Sequence, residues 1–250
     1  MKVAIIQSNY LPWKGYFDVI HDVDCFVFYD DVQYTARDWR NRNQIKTPHG
    51  TMWLSVPVAA GSRDRRIDEV TISGTDWAEA HWASLRHSYA RAPHFKHYEA
   101  FLEHVYRERN WEYLSDLNRY LIERIARDFL GISTRFVLAS DLEAQGQKQD
   151  RLLDVLQKLG ATAYLSGPAA RAYIDSAGFE ASGIALEYKD YGGYPEYPQV
   201  FPPFRHDVSI LDLLFQVGPD SAEYIWGWRQ GFEKTARVPQ AKPALEGRVP

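Results

Sequence analysis

The chain has 250 residues, a length that one α/β domain reaches without needing a second. A formal net charge of −4 gives no global field to draw nucleic acid or an anionic membrane, so any anion site has to be local. The single cysteine, Cys25, excludes an intramolecular disulfide and a cysteine-based zinc cluster, and the short apolar run after Met1 is too brief for a signal core or a membrane span; together these predict a cytoplasmic protein with no transmembrane segment.

Val3-Ala-Ile-Ile6 is a continuous apolar run, the pattern of a strand covered on both faces, and Gln7-Ser-Asn9 ends it in polar side chains. Pro12 and Gly15 break the strand. A short helix from about Lys14 to His21 follows, with Tyr16, Phe17 and Ile20 at helical spacing, and Cys25-Phe-Val-Phe28 is the next strand. This βαβ unit delivers Gln7, Asn9, Asp30 and Asp31 to one sheet edge, the carboxyl edge at which open α/β sheets bind ligands.

From Val32 to Thr47 periodicity disappears into Arg37, Trp39, Arg40, Asn41, Arg42, Asn43 and Lys46, which predicts a loop over the strand ends. Thr51–Val58 and Ile67–Ser73 read as two strands joined through an arginine-rich tip, a β-hairpin flap. Three helices are then expected: Trp77, His81, Leu85 and Tyr89 share a face, as do Phe95, Tyr98, Leu102 and Val105, and Leu114, Leu117, Leu121, Ile125 and Phe129. Phe136–Ala139, Ala163–Leu165 and Ile184–Tyr188 read as further strands, with helices around Leu152–Leu159 and Pro168–Ser176. Tyr191–Phe204 reads as an ordered aromatic loop, Ser209–Val217 and Ser221–Phe232 as helical, and the tail from Lys234 as disordered. No internal repeat or low-complexity tract is present.

Absent motifs prune the chemistry. The chain has no GxGxxG after the first strand, no P-loop GxxxxGK, no HExxH and no GxSxG. Arg40-Asn-Arg-Asn43 with Lys46 is the best candidate for holding phosphate or carboxylate, because guanidinium forks and amides suit such oxygens; a loop stapled by internal salt bridges is the alternative. Adjacent Asp30 and Asp31 suit a divalent ion or a general base; on a strand they point to opposite faces, so only one reaches a cleft, and Asp30 is preferred, with capping or pairing to Arg37 or Arg40 as the competing reading. Ser166-Gly167 at a strand-to-helix turn offers a hydroxyl and free amides, with Arg171, Lys148 and Arg151 near the same edge. His94 and His97 are spaced for a metal but lack an acidic or cysteine partner, so no metal site is expected. Tyr10, Trp13 and Tyr16 suit stacking on a base or sugar ring and equally suit a core, in a chain with 8 Trp and 16 Tyr.

The opening AIIQSNYLPWKGYFDVI, the segment Trp39-Arg-Asn-Arg-Asn43, Tyr164-Leu-Ser-Gly167 with Tyr173 downstream, and Val208-Ser-Ile-Leu-Asp-Leu-Leu-Phe215 followed by Gly218 resemble the WbqC-like protein family, from Val3 to about Gly218. That resemblance implies an enzyme encoded with bacterial O-antigen and other surface-polysaccharide or modified-sugar genes. The first βαβ is more distantly similar to nucleotidyltransferases and pantothenate-synthetase-like ligases. Their HxGH motif is matched here only by the glycine of Trp13-Lys-Gly-Tyr16, so catalysis by paired histidines does not carry over.

The expected fold is α/β, an open, mostly parallel, Rossmann-like and nucleotidyltransferase-like sheet with a helical insertion at about 76–131 and a β-hairpin flap, one domain over 1–233 with a tail at 234–250. The expected function is group transfer, acyl or aminoacyl, onto a nucleotide-linked amino sugar or related small molecule. An ATP-dependent nucleotidyltransferase or adenylate-forming ligase, and a non-catalytic binding protein of a polysaccharide assembly complex, are the alternatives. Catalytic roles fall to Asp30, Lys14 and Arg42. Substrate binding falls to Gln7, Asn9, Tyr10, Trp13, Tyr16, Gln33, Arg40, Asn41, Asn43, Lys46, Lys148, Arg151, Ser166, Gly167 and Arg171. The cofactor and the oligomeric state are left open, as is an aminoacyl-tRNA donor.

Overall fold

A computed structural model describes residues 1–229. Five parallel strands, β1 (Lys2–Ile6), β2 (Cys25–Phe28), β5 (Arg135–Leu138), β6 (Ala163–Ser166) and β7 (Ala185–Tyr188), form one sheet in the order β5-β2-β1-β6-β7. β1 pairs with β2 in the register Val3↔Cys25 to Ile6↔Phe28, and on its other side with β6 through Lys2↔Ala163 and Val3↔Tyr164. The chain runs outward from β1 to β2 and β5, then crosses back to β6 beside β1. The order therefore reverses between β1 and β6, a topological switch point with its crevice beyond the carboxyl ends of these strands.

Alternation along the strands divides the core in two. Phe26 and Phe28 face the larger cluster, with Tyr16, Phe17 and the helices α2 (Asp76–Tyr89), α3 (Phe95–Glu103), α4 (Leu114–Arg124) and α7 (Ile210–Val217). Val3, Ile5, Cys25 and Val27 face the smaller, under α5 (Lys148–Lys158) and α6 (Ser176–Ala181). Helix α1 (Lys14–His21) makes the crossover from β1 to β2 and is buried along nearly its whole length.

Four expectations are corrected. Residues 42–47 are not loop but strand β3 (Arg42–Thr47), paired antiparallel with β4 (Gly50–Ser55) across the two-residue turn Pro48-His49. The alternation was hidden because an inward position carries an amide: Asn43 is buried and donates to the carbonyls of Leu11 (2.8 Å) and Tyr10 (3.3 Å). The hairpin is thus β3–β4, whereas Ile67–Ser73 forms a short 3-10 turn at Ile67–Glu69 and isolated bridges such as Val58↔Ile72. The helix expected over Pro168–Ser176 is a 3-10 turn, Pro168–Ala172, followed by α6 with Asp175 as its N-cap. Gly218–Tyr224 is likewise 3-10, and the expected tail lies outside the described residues. Among the described residues no helix is long and apolar enough to cross a membrane.

Candidate functional site

Beyond β1 the segment from Gln7 to Leu11 is wrapped by residues 39–43. Tyr10 N–H donates to the Trp39 carbonyl (3.0 Å), and Asn43 holds the carbonyls of Tyr10 and Leu11. The Arg40 guanidinium donates to the side-chain oxygens of both Gln7 and Asn9, while the Arg40 carbonyl accepts from Asn118 Nδ2 (2.8 Å) on α4. Ser8 N–H donates to Asp30 Oδ1 (2.8 Å), linking the end of β1 to the end of β2.

A pocket of about 200 Å³ opens over this segment, lined by Asn9, Pro12, Trp13, Trp39, Asn43 and Asp207. Gly15 is what lets the Trp13 indole lie back against α1, since a Cβ there would sit 2.2 Å from the ring. Trp13 packs edge-on against Tyr191 (5.2 Å between centroids), and Trp39, 41 % exposed, tilts over Trp53 at 5.5 Å.

Two ionisable groups near α1 and β2 are displaced from their ordinary behaviour. Burial pushes the Asp30 carboxyl up from 3.8 to about 6, against hydrogen bonds from Ser8 and the charges of Arg119 and Arg40. Its Oδ2 is buried without a partner, as are Arg40 Nε and Asn118 Oδ1. Burial also lowers Lys14 to about 8, opposed by Asp18 and Asp212; its ammonium lies 4.9 Å and 5.2 Å from the ring centres of Tyr194 and Tyr197 and donates to the Pro195 carbonyl.

The profile of the WbqC-like protein family matches residues 7–224, beginning at Gln7 and spanning every residue of this pocket. This chain belongs to the WbqC-like protein family. It is 48 % identical over 230 residues to the uncharacterized protein Rv1507c of Mycobacterium tuberculosis (strain ATCC 25618 / H37Rv), covering 92 % of this chain and 99 % of that relative. No solved structure matches it significantly.

In this WbqC-like chain the residues singled out from sequence separate into two groups. Asn9, Trp13 and Asn43 line the pocket, Arg40 joins Asn9 to Gln7 beside it, and Asp30 lies behind through Ser8. The others lie elsewhere. Tyr10 and Tyr16 are core residues rather than stacking platforms: the Tyr10 hydroxyl meets His81 (2.9 Å) and Tyr106, and Tyr16 donates to the Gln7 carbonyl (3.0 Å). Arg40, Arg42 and Lys46 do not converge on one anion. Arg42 donates to the Arg37 carbonyl and stacks on Trp53 (4.3 Å), and Lys46 is buried against the Pro203 carbonyl. Asn41 donates to the Val56 carbonyl and Gln33 to that of Arg63, bonds that fasten the loop between β2 and β3 to residues following it. Arg151 pairs with Asp31, Lys148 is exposed, and Arg171 lies over the Tyr188 ring at 4.7 Å. Ser166 is buried and Gly167 caps the 3-10 turn.

Sequence reasoning did not single out Trp39, Asp207 or Asn118 as site residues. Asp18, His21 and Asp22 present three potential ligand atoms within 4.8 Å of one another, yet Lys189 and Arg229 already pair with both carboxylates.

Proposed function

We propose that this WbqC-like protein is a group-transfer enzyme that attaches an acyl or aminoacyl group to an amino sugar, carried as a nucleotide-linked or similar small molecule. The observation that carries this reading is the pocket at the carboxyl edge, where two indoles meet two carboxamides and a carboxylate. Indole faces suit the C–H face of a sugar ring, and the free Asn9 amino group and the Asp207 carboxylate, which Arg205 grips from one side, suit its hydroxyl and amino groups. Asp30, buried behind the pocket with one oxygen unpartnered and its affinity for protons raised to about 6, receives by relay the proton of the substrate amine as that nitrogen attacks the carbonyl carbon of an activated ester or thioester donor. The C–N bond forms, the donor's C–O or C–S bond breaks, and the proton passes to the departing alcohol or thiol.

Adenylyl transfer is the weaker reading, because a triphosphate calls for convergent cations, whereas Arg40, Arg42 and Lys46 are each bound to separate protein oxygens. Thermal shift with UDP-glucosamine, UDP-N-acetylglucosamine, UDP alone and ATP with magnesium tests the two. The sugar nucleotides are expected to raise the melting temperature beyond UDP alone, with ATP giving no larger shift. A shift from ATP with magnesium only would replace this reading with the ligase one.

A further inference from the structure

The contact between Arg40 and two neutral carboxamides fixes more than the loop. A guanidinium has donors and no acceptor, so the oxygen of each amide has to face it. Arg40 donates to Gln7 Oε1 and to Asn9 Oδ1, which settles the orientation of both groups. Their amino groups, Gln7 Nε2 and Asn9 Nδ2, have no hydrogen-bond partner among the described residues, and neither is sealed from solvent. Because one guanidinium holds both oxygens, the two amino groups are also fixed relative to each other. Asn9 lines the pocket.

Arg40 is itself held from behind. Its carbonyl accepts from the fully buried Asn118, its Nε is buried, and Asp38 lies 3.6 Å from its guanidinium. An arginine so placed, bonded to two amide oxygens and offset only by the more distant Asp38, polarises the amino groups that those amides turn away from it. Paired, preoriented N–H groups of this kind recognise a carbonyl oxygen and the negative charge that develops on it during acyl transfer.

We propose that Arg40 is a positioning residue that turns Gln7 and Asn9 into a paired donor site for the carbonyl oxygen of an acyl group. This deepens the group-transfer reading and rests on it. The pocket then distinguishes an acylated amino sugar from the free amine by this carbonyl.

The test uses the isosteric variants Gln7→Glu and Asn9→Asp, which replace the free amino group by an oxygen while keeping the oxygen that Arg40 holds. Binding of UDP-N-acetylglucosamine and UDP-glucosamine is followed by the fluorescence of Trp13 and Trp39. The wild type is expected to prefer the acetylated ligand roughly tenfold, the worth of one or two directed hydrogen bonds. Each variant is expected to lose that preference while its melting temperature holds or rises, since Arg40 gains an ion pair. A wild type that binds both ligands equally, or variants that keep the preference, overturns the donor pair and leaves the pocket reading standing. A wild type that binds neither overturns the pocket reading and the donor pair with it.

Discussion

Two polar networks flank helix α1, and their charges are matched in opposite ways. On the side of the aromatic loop, carboxylates are met by several partners each. Asp18 is paired through Oδ2 with Lys189 (2.9 Å), Arg229 and the Tyr194 hydroxyl, its buried Oδ1 having no partner among the described residues, and Asp212 accepts from Tyr89 (2.8 Å), Tyr197 (2.9 Å) and Gln199 (2.7 Å). On the pocket side, Arg40 donates to two neutral amides with Asp38 3.6 Å away, and among the described residues one Asp30 oxygen and the amino groups of Gln7 and Asn9 have no partner. Multiply paired carboxylates are what a latch needs, holding residues 189–199 against α1 and α7. Orphaned buried polar atoms occur on both sides, but only on this one do unbonded amides stand beside an open pocket, as a ligand site needs. If the proposed site is right, the first network holds the fold and the second meets the ligand.

The largest expected effect lies in the latch. Asp18→Ala leaves the buried Lys189 with the half-buried Asp22 as its one carboxylate among the described residues, beside the backbone carbonyl at position 18, and the Arg229 guanidinium short of its best partner. Breaking a buried pair in this way costs about 3–5 kcal/mol. Asp212→Ala, which strands two tyrosine hydroxyls and an amide, is expected to cost about 2–4 kcal/mol. Urea unfolding measures both, and a loss under about 1 kcal/mol for either would erase the contrast with the pocket side.

Asp30 gives the next largest effect and, unlike the latch, one of opposite sign. The folded carboxyl holds its proton up to about pH 6, whereas the free carboxyl releases it near 3.8. Between those values the native state binds more protons than the unfolded chain, so the Asp30 contribution to stability falls as pH rises through the window and stays lost above it. Asp30→Asn, which keeps the oxygen facing Ser8 N–H, is therefore expected to stabilise the protein by about 2 kcal/mol at pH 7–8. The gain should shrink toward nothing near pH 4 while transfer activity falls by about two orders of magnitude. Denaturation midpoints across pH 4–8 check the first part; a variant less stable than wild type at pH 8 would place Asp30 with the structural carboxylates.

The parallel strands were legible because each is a short apolar run closed by polar residues, whereas Asp30 and Asp31 lie beyond the end of β2, so strand alternation does not set their directions. In the fold the first meets Ser8 and the second pairs with Arg151 on α5. The β3–β4 hairpin was not legible, since Asn43 and Lys46 occupy buried positions where an apolar residue would have revealed the period. Cation density drew attention to Arg40–Lys46, but composition does not say where a long side chain ends. Arg40 reaches Gln7 and Asn9, while Lys46 reaches the carbonyl of Pro203. Asp207 and Asn118 carry no motif and come to the site only through the return of the chain after β7 and through α4, so only tertiary structure reveals them.

The smallest effect on stability is expected at the indoles, and there the two sides of the comparison part most cleanly. Trp39 and Trp53 are each 41 % exposed and neighbours in space, but only Trp39 lines the pocket. Removing either ring should change unfolding free energy by about 0.5 kcal/mol or less, the usual range for exposed positions. A sugar ring stacked on an indole is worth about 1 kcal/mol beyond area burial, so Trp39→Ala should weaken UDP-N-acetylglucosamine by roughly fivefold to tenfold. Trp53→Ala should leave that affinity within about twofold, because what it loses is the Arg42 stack outside the pocket. Equal losses in the two variants, measured by calorimetric titration, would move ligand recognition from the pocket to the open face of the hairpin, and the unbonded amides of Gln7 and Asn9 would then need another explanation.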